Sequence, residues 1–314
     1  MTMDYQVLAL DESEFQDVRS GNDLTDRRRR WWCYENPLGG MFAVARFGDE
    51  LAGTCYLGGK TLIIDGNETR AFEIGESSTE PAHQRKGVFS KVASLTTEYG
   101  YSQGAEIVYG TPNSQAMPGW RKLKFDIVTS SASWLFLIPN PFYFIKTSIA
   151  PIAKLVSRAD VTELSGEDYV EKTKNFSRLN KSSRDYLLWR LAKAPWSYRF
   201  FKTVRKNSEI LCCFRYGQLG RFPILVCSEF FLDGRRAPLS AARPQIARMA
   251  FQNYDARTFA GVHFHSQRQP ALAGFVQMLL GAAPHRPLPI CIKSRIPYQT
   301  NLFADFQLSD CDIG

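Results

Sequence analysis

Apolar and polar positions along the chain divide it into short extended runs and helical stretches that alternate. YQVLAL, residues 5–10, reads as a strand, and a helical region is predicted from about Asp11 to Asn36. MFAVARF and ELAGTCYL flank Gly48-Asp49, a hairpin signal, and TLIIDGNETRAFEIGESST predicts a second pair of strands around Asp65-Gly66. A helix from about Gly87, a strand AEIVYG, a short helix near Met117 to Leu123 and a strand FDIVTS complete the first half. The elements predict a mixed α+β or α/β unit.

The second half reads as a degraded copy of the first. WWCYENP places Trp31 six residues before Pro37, and WRLAKAP places Trp189 six residues before Pro195. ELAGTCYL lines up with EILCCFRY after a one-residue gap. A hairpin at Asp233-Gly234, a helix over ARPQIARMAFQNYD, a strand TFAGVHF, a helix over PALAGFVQMLLGAA and a strand PICIKS follow in matching order. A duplication at a period of about 160 residues is expected, with domains at 1–150 and 151–314. Within the second copy, APLSAARPQIARMA has no glycine turn matching Gln84 to Ser90, so the first half alone is expected to hold a phosphate-binding loop.

Composition narrows the class. A chain of 314 residues, 44% hydrophobic and 22% charged, is an ordinary globular protein with room for two cores. Lys and Arg number 39 against 31 acidic residues, a net charge of +8 that favours anionic ligands without selecting nucleic acid. The run Arg27-Arg28-Arg29-Arg30, ahead of Trp31-Trp32, reads as a solvated or anion-facing helix side. The amino terminus has no basic segment leading into an apolar core, and the apolar stretch 131–156 is broken by Pro139, Asn140, Pro141 and Lys146, so neither a secretory signal nor a membrane span is expected. Seven cysteines without a CxxC pair fit reduced core thiols and a cytoplasmic location. His263-x-His265 reads as a strand pair rather than a metal site, and no metal is expected. Most of Trp31, Trp32, Tyr34, Trp189, Trp196 and Tyr198 are expected in cores, and His83 is expected to be exposed beside the loop.

The chemistry concentrates in SSTEPAHQRKGVFSKVASLTTEYG, residues 77–100. A strand feeding a helix through Gln84-Arg85-Lys86-Gly87-Val88-Phe89-Ser90 presents unpaired N–H groups at the positive end of the helix dipole, a setting for pyrophosphate. Gly87 admits close backbone approach, and Arg85 and Lys86 add charge. The bland alternative is a turn and nothing more. Strict alternation along 72–80 sends Glu73, Gly75, Ser77 and Thr79 to one face and Ile74, Glu76 and Ser78 to the other.

The segment EIGESSTEPAHQRKGVFSKVASLTTEYG resembles motif A of the GNAT superfamily of acyl-CoA N-acyltransferases, Q/R-x-x-G-x-G/A after a strand that ends x-V-x-P. Gln84, Gly87 and Phe89 take the loop positions, with Thr79 and Pro81 at the strand's end; Phe89 stands where the family has a small residue. VYGTPNSQAMPGWRKLKF is similar to the superfamily's next strand and helix, with Asn113 in place and Trp120 where a tyrosine is usual. WCYENPLGGMFAVARFGDELAG, WRLAKAPWSY and FADFQLSDCDIG extend the likeness to tandem-GNAT proteins that acylate nucleotide-linked amino sugars in bacterial surface-polysaccharide assembly.

The resemblance implies two tandem GNAT-like domains, each a mixed, mostly antiparallel sheet flanked by helices, with acetyl-CoA or another acyl-CoA as co-substrate. It implies coenzyme contacts from Ser77, Ser78, Thr79, Gln84, Arg85, Lys86, Gly87, Val88, Phe89, Ser90 and Asn113. Glu73, at a spacing from Gln84 similar to that of the glutamate base in histone-type members, and Glu76 are candidate bases; a surface or ion-paired strand carboxylate is the alternative for each. The acceptor implied is a dTDP- or UDP-linked amino sugar in the cleft between the halves, the second half helping to bind it. Another small amine such as an aminoglycoside or polyamine, or a non-catalytic acyl-CoA-binding module, stays open. Nucleic acid is not an expected partner, and a homodimer is left open.

Overall fold

The computed structural model describes residues 5–15, 23–129, 132–138, 161–176, 183–205, 208–219, 222–236, 259–266, 282–285 and 289–298. They form two compact units: residues 1–129, 180–189 and 288–302 make one, and residues 130–179, 190–287 and 303–314 the other.

The first unit is built on β1 (Gln6–Leu10), β2 (Gly40–Phe47), β3 (Glu50–Ile64), β4 (Asn67–Thr79), β5 (Ile107–Gly110), β6 (Asp126–Thr129) and β15 (Pro289–Ser294). Their order is β1-β2-β3-β4-β5-β15-β6, antiparallel throughout except that β4 and β5 run parallel. Turns at Gly48-Asp49 and Asp65-Gly66 join β2 to β3 and β3 to β4 as the turn residues predict. ELAGTCYL and TLII, read as separate strands, are one strand of 15 residues. Its residues 58 and 59 are glycines because side chains there would overlap the Trp32 ring and the Leu38 carbonyl.

Helices α1 (Glu12–Phe15), α2 (Asp23–Cys33), α3 (Val88–Ser102) and α4 (Met117–Lys122) complete the unit. The two longer ones sort the strand side chains by face. Leu57, Phe72 and Val108 meet α3 at Gly100, whereas Gly58 lies under Trp32 of α2. The core on the α3 side gathers Cys55, Leu57, Phe72, Ile74, Val88, Val92, Ala93, Val108, Trp120 and Cys291. On the α2 side Trp31, Trp32 and Trp189 are buried, Trp31 stacking on Trp189 at 4.3 Å, as the core reading of these aromatics expected.

The second unit holds β7 (Ala132–Ile138), β8 (Val161–Leu164), α5 (Gly166–Thr173), β9 (Tyr198–Arg205), β10 (Ser208–Leu219), β11 (Phe222–Leu232), β12 (Arg235–Arg236), β13 (Phe259–Ser266) and β14 (Ala282–His285). Its sheet runs β14-β7-β13-β11-β10-β9-β8, with β11 and β13 parallel. Read from β8, this is the order of the first sheet read from β1, with β7 in the slot that β15 fills there. PICIKS was expected in the second copy; as β15 it lies between β5 and β6. One cut at residue 150 therefore does not separate the sheets, because each takes a strand from the other stretch of chain. The helices expected over ARPQIARMAFQNYD and PALAGFVQMLLGAA lie outside the described residues, as does most of 131–156. Among the described residues no helix is long and apolar enough to cross a membrane.

Candidate active site

The site begins where β4 loses its neighbours. Its parallel ladder with β5 stops at Glu73 opposite Tyr109, so the edge of β4 from Ile74 onward has no β5 partner. The register with β3 jumps from Gly75 opposite Tyr56 to Ser78 opposite Thr54, leaving Glu76 and Ser77 as a bulge. Glu76 adopts φ 41°, the left-handed region. At the fork a side chain on Gly110 would overlap the Ile74 carbonyl oxygen, so only glycine lets the strands part from so close an approach. The resulting cleft is lined by Ile74, Gly75, Glu76, Ser77, Gly110, Thr111, Pro112, Asn113, Ala116, Trp120 and Cys291, and its empty space, open mouth included, is about 400 Å³.

The bulge redirects a side chain. Alternation set Glu76 on the face opposite Glu73; in the structure its carboxylate is paired with Arg28 and with Arg29, whose Nε lies 3.0 Å from Oε2, both on α2. The extra residue shifts the phase of the pleat, bringing Glu76 to the α2 side with Glu73. Glu73 itself is buried at 4% exposure, outside the cleft lining, with Oε2 3.2 Å from Nζ of the fully buried Lys60. Lys60 Nζ stands 4.7 Å from the Trp32 ring centre. Burial pulls the Arg29 guanidinium below its ordinary value, with Asp26 opposing the shift. It stays charged at neutral pH because an arginine starts so high.

On the α3 side, the chain from Gln84 to Gly87 is exposed. Gly87 caps α3 with φ 83° and, being glycine, puts no side chain over the first-turn amides. Those amides, with the exposed Arg85 and Lys86, fit a diphosphate. Arg85 is itself left-handed at φ 61°, and the Gln84 side-chain amide donates to the Thr79 carbonyl at 3.3 Å, tying the loop to the strand end. Val88 is buried in the core, so only its backbone faces the loop. The Phe89 ring packs on Trp120 at 5.1 Å and fills the space beside Gly119, where a side chain would overlap it. A large residue is thereby accommodated at a position the family keeps small. Ser90 is half-buried.

Ser78 shares a 2.7 Å hydrogen bond with Thr54, and the Asn113 Oδ1 accepts from the Ala116 amide at 2.9 Å, holding the turn into α4. Trp120, at the usual tyrosine position, is buried at 2% exposure and offers no phenol to the cleft. Cys291 lines the cleft, a residue sequence reading left among core thiols because nothing in PICIKS tells which sheet it joins. Its thiol is pushed up chiefly by burial, as Cys55 is to about 12, so neither forms a thiolate near neutral pH. His83, expected to be exposed, is buried: Nδ1 lies 3.1 Å from the Tyr5 hydroxyl and Nε2 3.2 Å from Glu50. Among the described residues no group of three or more His, Cys, Asp or Glu stands together; the His263 and His265 side chains lie outside them.

Residues 5–128 match the acetyltransferase (GNAT) domain. This segment is a GNAT acetyltransferase domain. It makes the chain an acyl-CoA-dependent N-acyltransferase. No curated protein matches the chain. Among solved structures, a conserved protein of unknown function from Enterococcus faecalis V583, described as "Probable N-Acyltransferase", superposes with TM-score 0.61 at 9% identity over 96% of this chain and 74% of its own. GCN5-related N-acetyltransferases from Kribbella flavida and Anabaena variabilis give TM-scores of 0.55 and 0.56 at 12% identity, each over 93% of this chain and 72% and 73% of their own. At such identities the likeness is one of fold.

Proposed function

We propose that the chain moves the acyl group of an acyl-CoA onto the primary amine of a small acceptor, a nucleotide-linked (dTDP- or UDP-) amino sugar. The observation that carries the transfer is the parting of β4 from β5 beside an α3 amino terminus capped by glycine. The acceptor's identity rests on the sequence resemblance alone.

The coenzyme supplies the thioester, in which a C–N bond to the amine replaces the C–S bond. The amides of Val88, Phe89 and Ser90, with Gln84, Arg85, Lys86 and Gly87, hold its diphosphate. The unpaired edge of β4 through Ser77, Ser78 and Thr79 gives backbone donors to the pantetheine arm and to the thioester carbonyl oxygen, where charge develops. Asn113 closes the α4 side of the cleft.

The attacking amine must shed a proton, and in this reading Glu76, on the cleft wall, takes it directly or through water. Glu73 sits behind the cleft in its pair with Lys60 and acts by holding the strand. The thiolate leaves without a side-chain acid, since Trp120 has none to give, and takes its proton from solvent. We assign residues 151–314 a part in acceptor binding, an inference from the missing glycine turn.

Free-thiol release from acetyl-CoA and longer acyl-CoAs, read against UDP- and dTDP-linked amino sugars, aminoglycosides and polyamines, tests the reading. The highest kcat/KM is expected with the nucleotide-linked sugars. Turnover with polyamines or aminoglycosides alone would replace the acceptor, and none with any amine would leave a binding module.

A further inference from the structure

Two arginines of α2 stand behind Glu76, the acidic residue of the cleft lining. Glu76 pairs with both Arg28 and Arg29. Arg29 also reaches Asp26, with Nη1 4.0 Å from Oδ1. Arg28 is different. Its Nε–H is buried and has no hydrogen-bond partner among the described residues, although its side chain keeps 25% of its surface exposed. Arg27, next along α2, is exposed. A guanidinium has five N–H donors in a rigid planar fork matched to carboxylate and phosphate oxygens. Here that fork stands at a carboxylate on the wall of the transfer cleft, on the face away from the coenzyme loop.

We infer that Arg28, supported by Arg29, is a specificity-determining residue that recognises an anionic group, a carboxylate or a phosphate, carried by the amine acceptor. The inference rests on the acyltransferase reading above. Both Glu76 oxygens are ion-paired with guanidiniums in the free protein, and a carboxylate with one fewer positive neighbour accepts a proton more readily. An acceptor whose anion takes over the Arg28 fork frees a Glu76 oxygen as it brings its amine to the cleft. Recognition and activation of the base become one event, and a neutral amine gains neither.

The test uses the full chain with acetyl-CoA and three matched amines: 3-aminopropanol, β-alanine and 3-aminopropyl phosphate. Glucosamine, glucosamine 6-phosphate and UDP-glucosamine repeat the contrast on a sugar. The expected result is kcat/KM at least about tenfold higher for one or both anionic members of each set, on the scale of one charge-assisted hydrogen bond. The preferred anion, carboxylate or phosphate, names the source. That preference should fall with added salt. Arg28→Gln should erase it through KM of the anionic acceptor, and Arg28→Lys should restore part of it. Acetyl-CoA titration by calorimetry checks that each variant is folded.

Equal kcat/KM for neutral and anionic amines, or a preference that survives Arg28→Gln in a folded variant, overturns the inference and leaves the acyltransferase standing. Absence of turnover with every amine overturns both.

Discussion

The bulge in β4 has a counterpart in the second unit, and the two are used differently. In β11, Cys227 pairs with Phe214 and Glu229 with Cys213, leaving Ser228 as the extra residue. The parallel ladder to β13 ends at Cys227, just before it, as the ladder from β4 to β5 ends at Glu73. Past the ladder the resemblance stops. Glu76 is left-handed, half-buried and on a cleft wall. Ser228 and Glu229 are buried, and the hydroxyl of Tyr169 on α5, a residue with 0% exposure, donates to Glu229 at 3.1 Å. One backbone device is left open in one sheet and filled by an aromatic in the other. A bulge after a parting strand is therefore no site by itself; the space in front of it decides.

The sharpest way to break this comparison is to neutralise both glutamates. Glu76→Gln should lower turnover by about 10²- to 10⁴-fold, the range of a lost general base, with recovery at higher pH where free amine is more abundant. Acetyl-CoA affinity by calorimetry should move little. Glu229→Gln should leave thiol release unchanged. Wild-type turnover in Glu76→Gln would return the base to Glu73 or leave catalysis to positioning.

The Lys60–Glu73 pair separates support from chemistry. Lys60→Met leaves a buried carboxylate without its cation, a change that destabilises by about 3–5 kcal/mol. Chemical denaturation should show that loss with acetyl-CoA still bound by the folded fraction. A loss below about 1 kcal/mol would mean that solvent reaches Glu73, and would reopen it as the base.

At the loop, Gly87→Val forces a β-branched residue to φ 83°. A strain of about 1–3 kcal/mol is expected, enough to displace the first-turn amides and weaken acetyl-CoA binding by about 10- to 100-fold. The titration should give one coenzyme per chain in the wild type. Two equivalent sites would erase the asymmetry between the units.

Much of the first unit was legible because its signals are local. Turn residues at Gly48-Asp49 and Asp65-Gly66, and the single glycine of QRKGVFS, each fix one backbone event. What escaped depends on distant partners. ELAGTCYL and TLII were read as separate strands, and only Trp32 and Leu38 supply the reason for the glycines at 58 and 59 inside one. Glu76 was put on the wrong face because alternation counts residues and a bulge adds one. Arg28 and Arg29 were visible as an anion-facing run, but their anion stands 48 and 47 residues away, and no spacing rule joins a helix to a bulge so far along the chain. The exchange of β7 and β15 was unreadable, since a strand's sequence says that it pairs and not with what.

The smallest effect tests what fills the second bulge. Tyr169→Phe keeps the ring, which packs on Phe200 at 4.7 Å, and removes only the hydroxyl that donates to Glu229. A hydrogen bond to a charged group contributes about 1.5–3 kcal/mol, so the melting temperature should drop by a few degrees while thiol release stays at the wild-type rate. The double variant Tyr169→Phe with Glu229→Gln should destabilise by less than the sum of the two, because the first change removes the bond that the second changes at its acceptor. Additive losses would show that the hydroxyl and the carboxylate act independently. A fall in turnover with stability unchanged would instead mean that the filled bulge serves the reaction, and the division between an open working bulge and a closed structural one would fail.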